Sequence, residues 1–404
     1  MSTTKGYSTY RVPLAAPSYG DEEIEEVLDT LRSRKVTMGD KVRKFEEEWS
    51  KYIGTKYALM VNSGSSANLL AHVVLSNPSL KNHINPNSEV ITPAVTWATT
   101  AFPIVNVGAR PVFVDVDLDT FTMKIDEAEK ALTKDTAAVT FVHLLGNPCD
   151  MDSLSSFARE NDLILVEDAC NAHGGEYNGK KCGSFGDIGT FSFYFSHIIS
   201  TIEGGMITTN DERYYELAKA IRVFGWSRDL KNEETIASKY PYIDKRFLFA
   251  YPGYNFRPME IQGAFGIHQI KRLENFVRIR QDNARYWLDE LKKFDRFFLL
   301  PKTTKGGNHV WHHFPMTIKP DAPFNRTQII DFLDRKGIET RQISAGNITE
   351  QPVYQFMNAR KVGDLPNAKL IMRNSFEWAN HQNIGESERA YVVDSIGEFL
   401  RAYG

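Results

Sequence analysis

Between about residues 57 and 210, short apolar runs alternate with stretches of helical periodicity, and this alternation restricts the chain more than any other feature. Tyr57–Val61, Glu89–Ile91, Pro111–Val116, Ala137–Val142 and Leu163–Val166 read as strands, with helical patterns between most of them. Strands that are apolar on both faces and separated by helices predict a mostly parallel sheet with helices packed on each side. A helical pattern from about Met259 to Lys293 follows. Beyond it, strand-like runs at Trp311–Ile318 and Ile338–Arg341 and helical patterns near Arg326–Lys336 and Glu386–Ala402 suit a smaller α+β unit. A chain of 404 residues exceeds one ordinary core. Division into a large domain, 1–268, and a small one, 269–404, is the natural expectation. Ahead of the sheet, Ile24, Val27, Leu28 and Leu31 share one helical face and predict the buried side of a helix.

Composition narrows the partners. The formal net charge is −3, and no block of Lys and Arg marks a nucleic-acid or membrane surface. No run is long and apolar enough for a membrane span, and the first twenty residues do not read as a secretory signal. Cys149, Cys170 and Cys182 lack paired metal-ligand spacing, so no metal site is expected and a cytoplasmic setting fits.

In open sheets of this type ligands sit beyond the carboxyl ends of the strands, so the residues after each strand are the informative ones. After the first strand comes Asn62-Ser63-Gly64-Ser65-Ser66-Ala67-Asn68, which suits either an anion cradle at a helix N-terminus or an ordinary N-cap. Trp97 follows the second strand as either a stacking platform or a core residue. Glu167-Asp168-Ala169-Cys170-Asn171 places carboxylates directly after four apolar residues, where burial is costly without a cationic partner. A protonated pyridine nitrogen would be such a partner, and helix-capping acids are the alternative. Further on, Gly186–His197 runs Gly-Asp-Ile-Gly-Thr-Phe-Ser-Phe-Tyr-Phe-Ser-His, followed by Glu203-Gly204-Gly205.

Taken in order over nearly the whole chain, these motifs resemble the DegT/StrS nucleotide-sugar aminotransferases, fold-type-I enzymes of the aspartate aminotransferase-like class that use pyridoxal phosphate. The resemblance implies cofactor-binding roles. Gly64 and Ser65 match the phosphate site, Trp97 the residue stacked on the pyridine ring, and Asp168 the partner of the ring nitrogen. Asn171 stands where the family usually has Gln, and Ser192 matches the phosphate-binding serine. In Gly253-Tyr254-Asn255, Asn255 matches the asparagine that reaches the cofactor of the partner subunit, so a homodimer with shared sites is implied.

Five residues after Ser192, where the family keeps the lysine that holds its cofactor covalently, this chain has His197. Histidine retains proton transfer but not the covalent bond, which implies non-covalent pyridoxal phosphate or its pyridoxamine form and a general base. The histidine is either a natural feature or a replacement, introduced or degenerate. Thr340-Arg341-Gln342-Ile343-Ser344-Ala345-Gly346-Asn347-Ile348 also resembles the sugar 3-dehydratase branch, whose members carry histidine by nature. Within that branch, one type holds an iron–sulfur cluster on four cysteines. No cysteine follows Cys182 here, so no cluster is expected and the cluster-free, colitose-pathway type is favoured, with glutamate restoring the amine form. The resemblance therefore implies removal of the C3 oxygen from a nucleotide-linked 4-keto-6-deoxyhexose. Its alternatives are an aminotransferase with an unusual base and a catalytically silent binding homologue. His313, Arg341 and Asn347 are candidate substrate contacts. The Phe376–Gln382 stretch departs from the Gly/Pro-rich segment expected to line the sugar site.

Overall fold

The computed structural model describes residues 8–403. Seven strands of the large sheet follow in chain order: β1 (Tyr57–Val61), β2 (Glu89–Pro93), β3 (Arg110–Val114), β4 (Thr136–Val142), β5 (Ile164–Asp168), β6 (Ile188–Ser192) and β7 (Gly205–Thr209). Arg360–Lys361 adds an eighth, giving the spatial order β1-β7-β6-β5-β4-β2-β3 and then Arg360–Lys361. Only β7 runs against its neighbours; every other adjacent pair is parallel. The carboxyl ends of β1, β2, β5 and β6 consequently share one edge.

Strand parity explains how one sheet serves two cores. Leu59 and Val61 of β1 join Ile164, Val166 and Ile188 under helix α1 (Gly64–Leu75), whereas Ala58 and Met60 face the opposite layer with Phe45, Trp49 and Phe191. Both faces are apolar because helices cover both. Parity also separates the two acids that end β5. Asp168 points with Ile164 and Val166 toward α1, and Glu167 points the other way with Leu165.

Helix α2 (Glu260–Leu291) is 32 residues long and leads into the C-terminal sheet, so position 268 lies within a continuous helix. The strands His313–Ile318, Ser375–Ala379 and Thr340–Gln342 are antiparallel neighbours, and Phe298–Leu299 lies at one edge. Their core is aromatic. Trp287 of α2 meets Phe314 at 5.3 Å and Trp378 at 5.6 Å between ring centroids. Val12, far away in sequence, is buried in the same cluster and bridges to Ile338. No described helix is long and apolar enough to cross a membrane.

The helix expected before the sheet forms at Asp21–Ser33, rotated so that Glu23, Val27 and Thr30 share the inward face. Glu23 and Thr30 are buried, while Ile24 and Leu31 are 42% and 49% exposed. The reason is a polar partner on α2. Arg272 Nε lies 2.9 Å from Glu23 Oε1, and Gln269 Nε2 donates to the same oxygen at 2.8 Å. A buried acid held by Gln269, Arg272 and the Gly20 amide fixes the helix rotation, leaving Ile24 and Leu31 outside and Val27 and Leu28 half-buried.

Trp287→Ala is expected to destabilise the protein by about 3–5 kcal/mol, the range for removing a fully buried aromatic. Urea denaturation of the two proteins checks it.

Candidate active site

The shared edge of the strands opens into a cavity of about 350 Å³. One wall begins where β1 ends. Ser63 caps α1, its hydroxyl accepting from Ser66 N at 3.1 Å, and Gly64 starts the helix. A Cβ at Gly64 would lie 2.3 Å from Ser192 Cβ, so only glycine lets the helix N-terminus approach the end of β6 this closely. Free N–H groups and the helix dipole at that N-terminus favour an anion. Gly64, Ser65 and Ser192 all line the cavity there. Trp97, at the start of the helix after β2, also lines it and is 57% exposed, so its ring is available rather than part of the core.

Asp168 is 3% exposed. Its Oδ2 accepts from Asn68 Nδ2 at 2.9 Å and from Thr100 Oγ1 at 2.7 Å, and Oδ1 accepts from Cys170 N at 3.1 Å. Asn68 is itself fixed by Thr190, whose hydroxyl donates to its Oδ1 at 2.6 Å. No Lys, Arg or His forms an ion pair with Asp168 among the described residues. A carboxylate so placed is oriented toward a cation the protein does not supply.

Glu167 belongs to a different network. Its carboxylate accepts from His143 Nε2 at 2.8 Å, from Phe185 N at 2.9 Å, from Gly186 N at 3.0 Å and from Gly183 N. His143 Nδ1 accepts from Cys149 N at 2.9 Å, so Nε2 carries the proton that Glu167 receives. Cys182 completes a close buried trio with these two. The bonds brace β4, β5 and the turn before β6 behind the cavity.

His197 stands on the cavity wall. Its Nδ1 lies 2.7 Å from the Ser192 carbonyl oxygen. A carbonyl can only accept, so Nδ1 carries the hydrogen and Nε2 presents a lone pair. Burial pushes its pKa down to about 4, against the pull of the Ser192 carbonyl. At neutral pH the ring is uncharged and able to take a proton. His312 packs edge-on to it at 5.1 Å between centroids. His312 is held from behind by Arg280, a fully buried guanidinium of α2 that donates to its carbonyl at 2.8 Å and to that of Asn380.

Most of the residues singled out in the sequence meet here: Gly64, Ser65, Trp97, Asp168, Asn171, Ser192, His197 and Arg341 all line the cavity. Three do not. Asn255 is exposed, outside the cavity of its own chain. His313 is buried behind Arg341, its Nδ1 3.4 Å from Arg341 Nη2. Asn347 is buried as the cap of a short 3₁₀ turn, its Oδ1 accepting from Thr349 N at 3.0 Å. The structure adds His312, Glu377, Asn68 and Thr100 to the wall. His312 had a visible signal in the His312-His313 pair, but which of the two faces the cavity depends on register. Glu377 was visible as an acid between Phe376 and Trp378.

An α/β fold of this order, with an anion cradle, an available aromatic ring and a buried acid at one sheet edge, defines a fold-type-I pyridoxal-phosphate enzyme. The chain belongs to the DegT/DnrJ/EryC1/StrS aminotransferase family, whose sequence pattern matches residues 17–397. It is 38% identical over 376 residues to the GDP-4-keto-6-deoxy-D-mannose 3-dehydratase of Escherichia coli O55:H7, covering 92% of this chain and 95% of that one. A crystal structure of GDP-4-keto-6-deoxymannose 3-dehydratase, as a histidine-to-asparagine mutant with bound GDP-perosamine, superimposes with a TM-score of 0.90 at 36% identity. That match covers 96% of this chain and 100% of the other. A second structure of such a dehydratase, with a trapped PLP–glutamate geminal diamine, gives a TM-score of 0.89 at 36% identity over 95% of this chain and 100% of that one.

The lowered pKa of His197 sets a pH dependence. An imidazole titrating at 6.5 would lose its lone pair below that pH, whereas one at about 4 keeps it. The acid limb of kcat/KM is expected to fall nearer pH 4 than 6.5. The fold loses stability as pH drops from 6.5 toward 4, because the unfolded chain then binds the proton more readily. A pH–rate profile paired with thermal melts measures both.

Proposed function

We propose that this protein is a cytoplasmic, pyridoxal-phosphate-dependent 3-dehydratase that removes the C3 oxygen of a nucleotide-linked 4-keto-6-deoxy sugar. The observation that carries the reading is His197. It is a neutral imidazole, fixed through Nδ1 by Ser192, in a cavity otherwise equipped for the family's cofactor. The donor set fits that cofactor. Gly64, Ser65 and Ser192 would hold its phosphate, Trp97 would cover its ring, and the uncompensated Asp168 would pair with its ring nitrogen, beside Asn171. When bound, pyridoxal phosphate or its amine form supplies the electron sink for the reaction.

The chain's own residues do the rest. His197 Nε2 takes up and returns the proton, while Nδ1 stays bonded to Ser192 so that the ring does not turn. Asp168 keeps its charge directed by Asn68, Thr100 and the Cys170 amide. Arg341, which keeps 43% of its side chain exposed at the cavity, is the substrate contact we favour among the three expected from the sequence. The relative with GDP-perosamine supports a nucleotide-sugar substrate, and the one with a PLP–glutamate adduct supports glutamate as the amine donor. The histidine-to-asparagine mutant has a histidine as its own natural residue, which supports a natural His197. A homodimer fits the exposure of Ile24, Leu31, Tyr194, Ile202 and Tyr254, and would give the exposed Asn255 a partner's site to reach.

The test is a panel of GDP-, CDP-, dTDP- and UDP-linked 4-keto-6-deoxy sugars, incubated with protein, pyridoxal phosphate and glutamate and read by mass spectrometry. Loss of the C3 oxygen is expected; an amino sugar would make the protein an aminotransferase, and no conversion at all would sink the enzymatic reading. His197→Asn is expected to retain pyridoxal phosphate, seen by its absorbance, and to lose about 100- to 10,000-fold in kcat, the usual share of a general base.

A further inference from the structure

Two strands of the C-terminal sheet place an ion pair at the cavity. Arg341 and Glu377 are direct register partners on the antiparallel strands Thr340–Gln342 and Ser375–Ala379. Arg341 Nε donates to Glu377 Oε1 at 2.6 Å. Glu377 has no exposed surface, and its Oε2 has no partner among the described residues. His313 is buried against both groups, its Nδ1 3.8 Å from Glu377 Oε1. Arg341 is different in kind: its side chain remains 43% exposed and lines the cavity beside His312 and His197.

A carboxylate in that position is a costly choice for stability alone. Phe376 and Trp378 on either side are fully buried and apolar, and a well-packed apolar residue in place of a buried ion pair is often neutral or stabilising. Arginine at a cavity wall has the opposite problem, since its long side chain samples many rotamers unless something fixes the guanidinium plane. The two facts fit together. With Nε given to Glu377 and Nη2 set against His313, the guanidinium has one orientation, and Nη1 is left without a bond among the described residues.

We infer that Glu377 is a positioning residue for substrate binding, holding Arg341 so that its unengaged nitrogen meets an acceptor on the nucleotide sugar. The inference rests on the functional reading above. Glu377 sits in the cavity wall beside Arg341 and acts through it. It belongs to binding, so its removal is expected to appear in KM and not in kcat.

A double-mutant cycle tests this on the holoenzyme with Glu377→Gln, Arg341→Gln and the pair. The readouts are GDP-perosamine affinity by titration calorimetry, KM and kcat with GDP-4-keto-6-deoxymannose, and melting temperature as a check on folding. Each single substitution is expected to weaken GDP-perosamine binding and raise KM about tenfold, with kcat changed less than about threefold. The double variant should bind no worse than Arg341→Gln alone. Should Glu377→Gln fail to fold, Glu377→Asp takes its place; its shorter reach shifts the guanidinium and is expected to give a smaller loss of the same kind. Unchanged affinity in the Glu377 variant, or effects that add fully in the pair, overturn the inference. A wild-type protein that converts none of the GDP-, CDP-, dTDP- or UDP-linked sugars overturns the functional reading, and this inference with it; where the sugar converted carries another nucleotide, it replaces the GDP-linked pair in the cycle. Wild-type binding with additive losses overturns this inference alone.

Discussion

Gly64 rests against Ser192, and the site is organised around that contact. It joins the first turn of the helix after β1 to the last residue of β6, two strands separated in the sheet by β7. Because Ser192 also offers its carbonyl to His197, one residue sets both the approach of the helix N-terminus and the tautomer of the imidazole. A side chain at position 64 would push the helix away from β6. The cradle would widen, and the segment that carries the imidazole would lose its reference point.

The two carboxylates at the end of β5 show how a sheet divides labour between neighbouring residues. Strand alternation sends Asp168 to the helix face and Glu167 to the opposite one. Glu167 is saturated by an imidazole and three amides and holds the strand ends together. Asp168 receives hydrogen bonds but no counter-ion among the described residues. Similar acids in adjacent positions thus stand in unlike settings: one stiffens the scaffold and the other lines the cavity.

Much of this was legible from the residues. Alternation of apolar runs identified β1 to β5 and left β6, β7 and Arg360–Lys361 unread as strands; residues after the carboxyl ends supplied the cavity wall, because parallel strands bring those ends together wherever they lie in the chain. What stayed hidden depended on rotation or register. The helix at Asp21–Ser33 is rotated to bring Glu23 inward because Arg272 and Gln269 wait there on a helix about 250 residues away, which no local periodicity can report. His312 and not His313 faces the cavity because of how the chain enters the strand that follows. The Arg341–Glu377 pair joins residues on strands whose pairing is set only by the assembled sheet.

The eighth strand of the large sheet comes from the C-terminal part of the chain. Arg360–Lys361 pairs in parallel with β3, and Arg360 grips Glu89 of β2 through two nitrogens at 2.8 and 2.6 Å. This seam ties the late part of the polypeptide to the early sheet at the edge far from β1. Pulling this segment away from β3 would break the strand pair and the ion pair together. The stretch between the strands Thr340–Gln342 and Ser375–Ala379 of the C-terminal sheet is thereby stitched to the large sheet, so the two sheets are joined by strand pairing as well as by the long helix α2.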